Sequence, residues 1–153
     1  MKHSSLVTKF TIGDSSKAPY EKYDAASSTA GDTVHDLSSL PVVTVNGVEY
    51  YRFDWRLDVN KDGTYEYEED VEIVDTLPSG MILYENNDYL KYSTGGSSST
   101  NQLTTTPWYQ FRYSYDKGTN KINLVKTGYS TTYWTFYYST LVKVDDVKNG
   151  VYK

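Results

Sequence analysis

The chain has no cysteine, so neither a disulfide nor thiolate chemistry is open to it, and its redox compartment leaves no mark in cysteine pairing. It has only two histidines, His3 and His35, and no GxSxG, HExxH or phosphate-loop pattern. Turnover catalysis is therefore left without its usual residues, and the expectation is that the protein is not an enzyme. There is no basic run, and the formal net charge is −5. A nucleic-acid backbone needs a patch of Lys and Arg, so nucleic acid is not an expected partner. No apolar run approaches the length of a membrane span, and membrane insertion is not expected. The N-terminus, MKHSSLVTKF, lacks the apolar core of a signal peptide, and Met1 to Ser5 read as added residues. Helical periodicity with caps is also missing.

What the chain does have is tyrosine: 17 of them, beside 4 Phe, 3 Trp and only 2 Met in 153 residues. Tyr, Thr and Val favour pleated, half-exposed surfaces, so the composition points to β structure. The length suits a single domain with a sizeable core, residues 1–153.

The clearest pattern lies in VEYYRFDWRLDVNKDGTYEYEEDVEIVDTLPSG, residues 48–80. Tyr51, Phe53, Trp55, Leu57 and Val59 alternate with Tyr50, Arg52, Asp54, Arg56 and Asp58. That is the period of a strand with one buried and one wetter face. Lys61-Asp62-Gly63 supplies a turn, Val71, Ile73 and Val74 a second strand, and Pro78 ends the ladder.

Around this hairpin the remaining strands fall in order. Leu6–Ile12 is a short first strand with Lys9 on the face of Val7 and Thr11. Gly13–Thr33 reads as a long surface loop with a short helical turn at Tyr20–Ala26. Val42–Val45 feeds the Asn46-Gly47 turn, and Met81–Tyr84 and Tyr89–Tyr92 are short strands. Residues 94–106, rich in Gly, Ser and Thr, form a second long loop. Trp108–Tyr115 and Lys121–Lys126 make a hairpin about Asp116-Lys117-Gly118, and Thr131–Val144 is a long strand. Val151-Tyr152-Lys153 starts a strand that stops almost at once. The expected fold is an all-β, immunoglobulin-like antiparallel sandwich lacking its final strand, with an open sheet edge ready to accept one.

VTKFT near the start, FDWRLDVN in the middle, VEIVDTLPSGM after it and STLVKVDDVKNGVYK at the end together resemble a known type. They look like the isopeptide-forming immunoglobulin-like domains of Gram-positive surface adhesins and pilin shafts, the CnaA type. The resemblance implies a stalk or adhesin domain at the bacterial cell wall, outside the cell. It also implies a self-made amide: a first-strand lysine attacks an asparagine side chain, ammonia leaves, and an Asp or Glu assists. The amine must be neutral to attack, and the acid must be able to carry a proton, which burial among apolar groups favours in both. Such a crosslink constrains unfolding as a disulfide does, by roughly 2–4 kcal/mol on that analogy.

Carried over by position, the resemblance makes Lys9 the nucleophile, with Lys17 a weaker substitute, and Asp54 the assisting acid, with Asp75 the fallback. Alternation itself puts Asp54 with Arg52 and Arg56, the setting of a solvated ion pair. The acceptor asparagine of the family falls just past Lys153. Asn149 reads as a turn former, and Asn123 comes too early. The implied partner is a complementary C-terminal strand peptide carrying Asn or Asp, which makes this chain the larger half of a split, peptide-capturing pair.

Two other readings stand beside this one. Asp58, Asn60, Asp62 and Glu69, with Gly63 between, have the spacing of a calcium loop, and Ca2+ is the one cofactor the sequence suggests. The flanking strand favours a hairpin turn instead of the helices such a loop expects. Trp108, Tyr109, Trp134, Tyr137 and Tyr138 are candidates for an aromatic platform binding glycan or protein, against the commoner reading as core and cross-strand pairs.

Overall fold

The computed structural model describes residues 7–11, 20–24, 40–61, 70–128 and 132–148. Among these residues eleven strands run in chain order: β1 (Val7–Thr11), β2 (Tyr20–Asp24), β3 (Val42–Val45), β4 (Val48–Val59), β5 (Asp70–Thr76), β6 (Met81–Leu83), β7 (Lys91–Thr94), β8 (Asn101–Gln102), β9 (Phe111–Asp116), β10 (Lys121–Lys126) and β11 (Trp134–Lys143). Among the described residues a 3-10 turn, Asn87–Tyr89, precedes β7, and a short helix α1 (Val144–Lys148) follows β11. These two short turns are the departure from an all-strand expectation.

The strands form two sheets. The first has the order β1-β5-β10-β9; the second has β2-β4-β11-β7-β8, with β3 added to β4 and β6 added to β11. Every pairing between strands is antiparallel except β1 with β5, which is parallel. The architecture is the expected β-sandwich. Three segments depart from the sequence reading. Tyr20–Asp24, expected as a helical turn, is a strand paired along β4. Asn101–Gln102, inside the expected 94–106 loop, pairs with β7, and the strand expected at Tyr89–Tyr92 runs at Lys91–Thr94 instead.

Alternation along the second half of β4 sorts its residues as the sequence implied, except that Asp58, expected on the wetter face, is buried. Trp55, Leu57 and Val59 are buried and meet Trp134, Phe136 and Tyr138 of β11 in register. From the facing sheet come Val71 and Ile73 of β5, Ile122 and Leu124 of β10, and Phe111 of β9. The ring of Phe111 stacks on Tyr92 at 4.2 Å and meets Phe136 edge-on at 6.3 Å, so aromatic packing joins the layers.

Two lysines turn inward with this core. Lys126 follows Ile122 and Leu124 on β10, is 3% exposed, donates to Gly128 O at 3.2 Å and lies 5.6 Å from the Trp134 ring. Burial pushes its amine below the usual lysine range, against the opposing pull of Asp70. A lysine whose pKa is lower folded than unfolded weakens the fold below the folded value. That cost disappears as pH rises to the unfolded value of about 10.4. Lys126→Met is therefore expected to remove an alkaline rise in stability that the native chain shows. Urea midpoints of the two proteins at neutral and alkaline pH measure the difference, and parallel profiles would contradict it.

Candidate functional site

The other inward lysine is Lys22, the central residue of β2. Its register partner is Leu57, a core residue, so Lys22 points between the sheets. Across the gap β5 continues its inward series Val71, Ile73 with Asp75, which is opposite Ile122 and 4% exposed. Lys22 Nζ donates to Asp75 Oδ2 at 2.9 Å, with side chains 15% and 5% exposed. The hydroxyl of Tyr138, itself buried, donates to the same oxygen at 2.6 Å.

Aromatic rings enclose the amine. Nζ sits 4.3 Å from the centre of the Trp55 ring and 5.6 Å from that of Tyr138. Trp55 is fixed in turn, donating from Nε1 to Thr140 Oγ1 at 2.9 Å and stacking at 6.1 Å on Phe53. At the entrance to this pair, Tyr20 donates to Thr11 O at 2.7 Å and ties β2 to the end of β1. The site thus joins both sheets through one carboxylate. It brings an amine and a carboxylate together within an aromatic surround, and no carboxamide is among the contacts that Lys22 makes with the described residues.

The residues expected from the sequence are distributed differently. Lys9 lies on β1 in register with Glu72, in the sheet opposite Asp54, and its side chain falls outside what is described. Asp54 is on β4, on the face away from Trp55 and Leu57. It accepts from Arg52 at 2.8 and 3.0 Å and from Ser139 at 2.6 Å, with its side chain 38% exposed. The ion-pair reading of that residue is the one seen, and the structure does not bring it to an inward amine. Asp75, the fallback acid, is the one beside a lysine. Lys17 and Asn149 lie outside the described residues.

Asn123 contacts Glu72, and Asn120 is occupied with three carbonyls, so neither is at the Lys22 amine. Sequence reasoning missed Lys22 because YEKYD offers no apolar face. Asp75 was more legible, since Val71, Ile73, Asp75 and Leu77 share one period-two series.

Of the calcium positions, Asp62 and Glu69 lie outside the described residues. Asp58 is buried, accepts from Thr135 at 2.8 Å, and has Arg56 and Lys61 nitrogens at 3.6 and 3.9 Å. Asn60 is buried in a left-handed turn conformation, φ 57°. Two cations thus already answer the Asp58 charge, and no cluster of metal-ligating side chains occurs among the described residues.

The five aromatics do not form one platform. Trp134 and Tyr138 are core residues at 1% exposure, whereas Trp108 and Tyr109 stand in solvent at 81% and 54%. No helix among the described residues is long and apolar enough to cross a membrane.

No protein-family model matches the chain, and no curated protein matches it. Among solved structures it is similar to the collagen adhesin CNA of S. aureus at 19% identity and a TM-score of 0.48, over 84% of this chain and 38% of that one. It is also similar to a collagen-binding domain from an S. aureus adhesin at 15% identity and a TM-score of 0.45, over 84% of this chain and 77% of that one. The chain thus spans well under half the length of the first of these.

Proposed function

We propose that this domain is a stalk or adhesin module of a bacterial surface protein, and that Lys22 forms one amide bond with an asparagine on a strand lying outside the described residues. The observation that supports it is the inward Lys22–Asp75 pair beneath Trp55 and Tyr138. Proton transfer from the ammonium to Asp75 frees the lone pair of Nζ, which attacks Cγ of the carboxamide. The new C–N bond forms as the C–NH2 bond breaks. Asp75 passes to the departing nitrogen the two protons that Nζ sheds, so ammonium leaves and Asp75 ends ionised as it began. One turnover exhausts the site, in keeping with a mechanical role.

Lys22 replaces Lys9 as the nucleophile in this reading, and Asp75 replaces Asp54 as the assisting acid. The partner is an extended strand carrying Asn, supplied by a complementary peptide or by other parts of the parent protein.

The test uses short peptides alternating Val and Thr around a single central Asn. Incubation is expected to give a product of the summed mass less one ammonia, with the linkage mapped to Lys22. Lys22→Ala and Asp75→Ala are expected to abolish it, and Lys9→Ala to leave it intact. Loss of product in Lys9→Ala alone would move the chemistry back to β1, and no adduct from any peptide would remove the crosslinking role.

A further inference from the structure

Strands β2 and β3 lie on the same flank of β4, β2 along Trp55–Val59 and β3 along Val48–Tyr51, and among the described residues β3 pairs with no other strand. Arg52 N donates to Pro41 O at 2.9 Å, in the register that sets Val42 opposite Tyr51. Bonded positions recur at every second residue of an antiparallel pair, so Val43 and Val45 turn their backbone groups to β4. Val42 and Thr44 turn theirs outward. Both residues are exposed, Val42 at 49%. The stretch from Leu40 to Val48 carries no charge, and β3 pairs with β4 without a bulge, so two features that guard many sheet edges are missing.

We propose that two copies of this chain pair through β3, antiparallel about a two-fold axis at Val43. Outward amides and carbonyls spaced two residues apart are the complement of another extended backbone. The two-fold arrangement sets Val42 of each copy opposite Thr44 of the other, and each of these pairs exchanges both backbone bonds. Val43 then stands directly opposite Val43 of the second copy, at an unbonded position where side chains come closest. It lies on the face of its β4 partner Tyr50, away from the Lys22 site.

Charge and shape favour a second copy over a foreign strand. A net charge of −5 sets two copies against each other at most approaches, and this edge is a place where neither brings a charge. The side chains that meet are β-branched, Val against Val on one face and Val against Thr on the other, which suits adjoining strands. Each copy supplies the donors and acceptors that the other leaves open, and no further residue is required. The strand is four residues long, so the contact is small and the dimer a weak one.

Because the chain has no cysteine, single substitutions report the register. Opposed residues of an unbonded antiparallel pair have Cα atoms about 4.5 Å apart, within disulfide reach. Thr44 of one copy and Thr44 of the other are offset along the strands and lie beyond it. Under mild oxidation Val43→Cys is expected to give a disulfide-linked dimer about tenfold or more faster than Thr44→Cys. The native chain is expected to show a concentration-dependent monomer–dimer equilibrium in sedimentation, with the Val42 and Thr44 amide NMR shifts following it. Thr44→Pro removes an outward N–H and no bond to β4, so it is expected to raise the dimer Kd about tenfold or more while leaving the β4 pairing intact. A chain that stays monomeric at roughly millimolar concentration overturns the proposal, as do equal crosslinking at both positions and dimers indifferent to Thr44→Pro. A monomeric chain whose Val42 and Thr44 amides instead respond to an acetylated Thr-Val-Thr-Val-Thr peptide also overturns it, because the edge then takes a foreign strand.

Discussion

Asp75→Ala is expected to cost the fold about 3–5 kcal/mol, read as a fall in urea midpoint at constant slope. The substitution removes the oxygen to which both Lys22 Nζ and the Tyr138 hydroxyl donate. What is left is an ammonium only 15% exposed between the sheets, facing two aromatic rings. A cation over a ring recovers about 0.5–2 kcal/mol, well short of a lost ion pair in such a place. Lys22→Met is expected to cost less. The Met side chain keeps the apolar contact with Trp55, and Asp75 keeps its bond from Tyr138. The double replacement Lys22→Met with Asp75→Leu is expected to fall within about 1 kcal/mol of the native protein or above it, because apolar residues of similar volume carry no desolvation cost. A loss below about 1 kcal/mol for Asp75→Ala would mean that water already reaches the pair. That outcome would also undercut a dry site for amide formation.

The same cycle bears on why the pair exists. An inward ion pair that apolar residues replace without loss is a poor device for stability. Such a result would leave stability as a weak reason for the pair, and the amide-forming role proposed for Lys22 would then be the reading to test next. Most of the core around it is apolar, with Leu57, Val59, Ile73, Ile122 and Leu124 fully buried, while Lys126 and Asp58 are the other buried charged residues among those described.

How far the sequence revealed this depends on what each strand carries. β4, β5, β10 and β11 were legible because their apolar residues recur every second position and their turns carry Gly, Asn or Pro. β2 was not. Its inward residues include Lys22, and hydrophobic periodicity is blind to a lysine whose partner is 53 residues away. The parallel pairing of β1 with β5 was equally hidden, since alternation fixes which face a residue takes and says nothing of its neighbour strand. Asp54 shows the opposite case. Alternation put it on the polar face, where the structure also has it, and only the positional resemblance had drawn it towards the chemistry. The tyrosines divide the same way: Tyr138 is buried in the core, Tyr109 stands in solvent, and composition alone could not separate them.

Asn120→Ala is expected to be the other severe substitution, at about 2–4 kcal/mol, from a residue the sequence shows only as part of a hairpin turn. Asn120 holds φ at 58°, a left-handed conformation that costs a side chain other than Asn or Gly about 1–2 kcal/mol. Its backbone carbonyl accepts from Leu77 N at 2.9 Å, and its side-chain oxygen accepts from the Tyr115 hydroxyl at 2.6 Å. Nδ2 approaches Met81 O at 2.7 Å, Pro78 O at 3.2 Å and Leu77 O at 3.3 Å, so two hydrogens serve three carbonyls. One side chain therefore pins the β9–β10 turn to the Leu77–Gly80 turn that starts β6. It also closes an edge. Tyr84 N bonds Ser139 O, which makes Ile82 the next bonded position and turns the Met81 carbonyl away from β11, where Asn120 covers it. Asn120→Gly separates the two contributions, since glycine relieves the backbone but restores no side-chain bond. It is expected to recover about 1 kcal/mol of the alanine loss, measured by urea midpoints, while both variants lose amide-exchange protection at Met81, which bonds Pro78 O, and at Ile82. Asn120→Asp is expected to be worse than either, because a carboxylate oxygen would then face the carbonyls that Nδ2 now serves. Equal stability of the Ala and Gly variants would place the whole effect in the side chain.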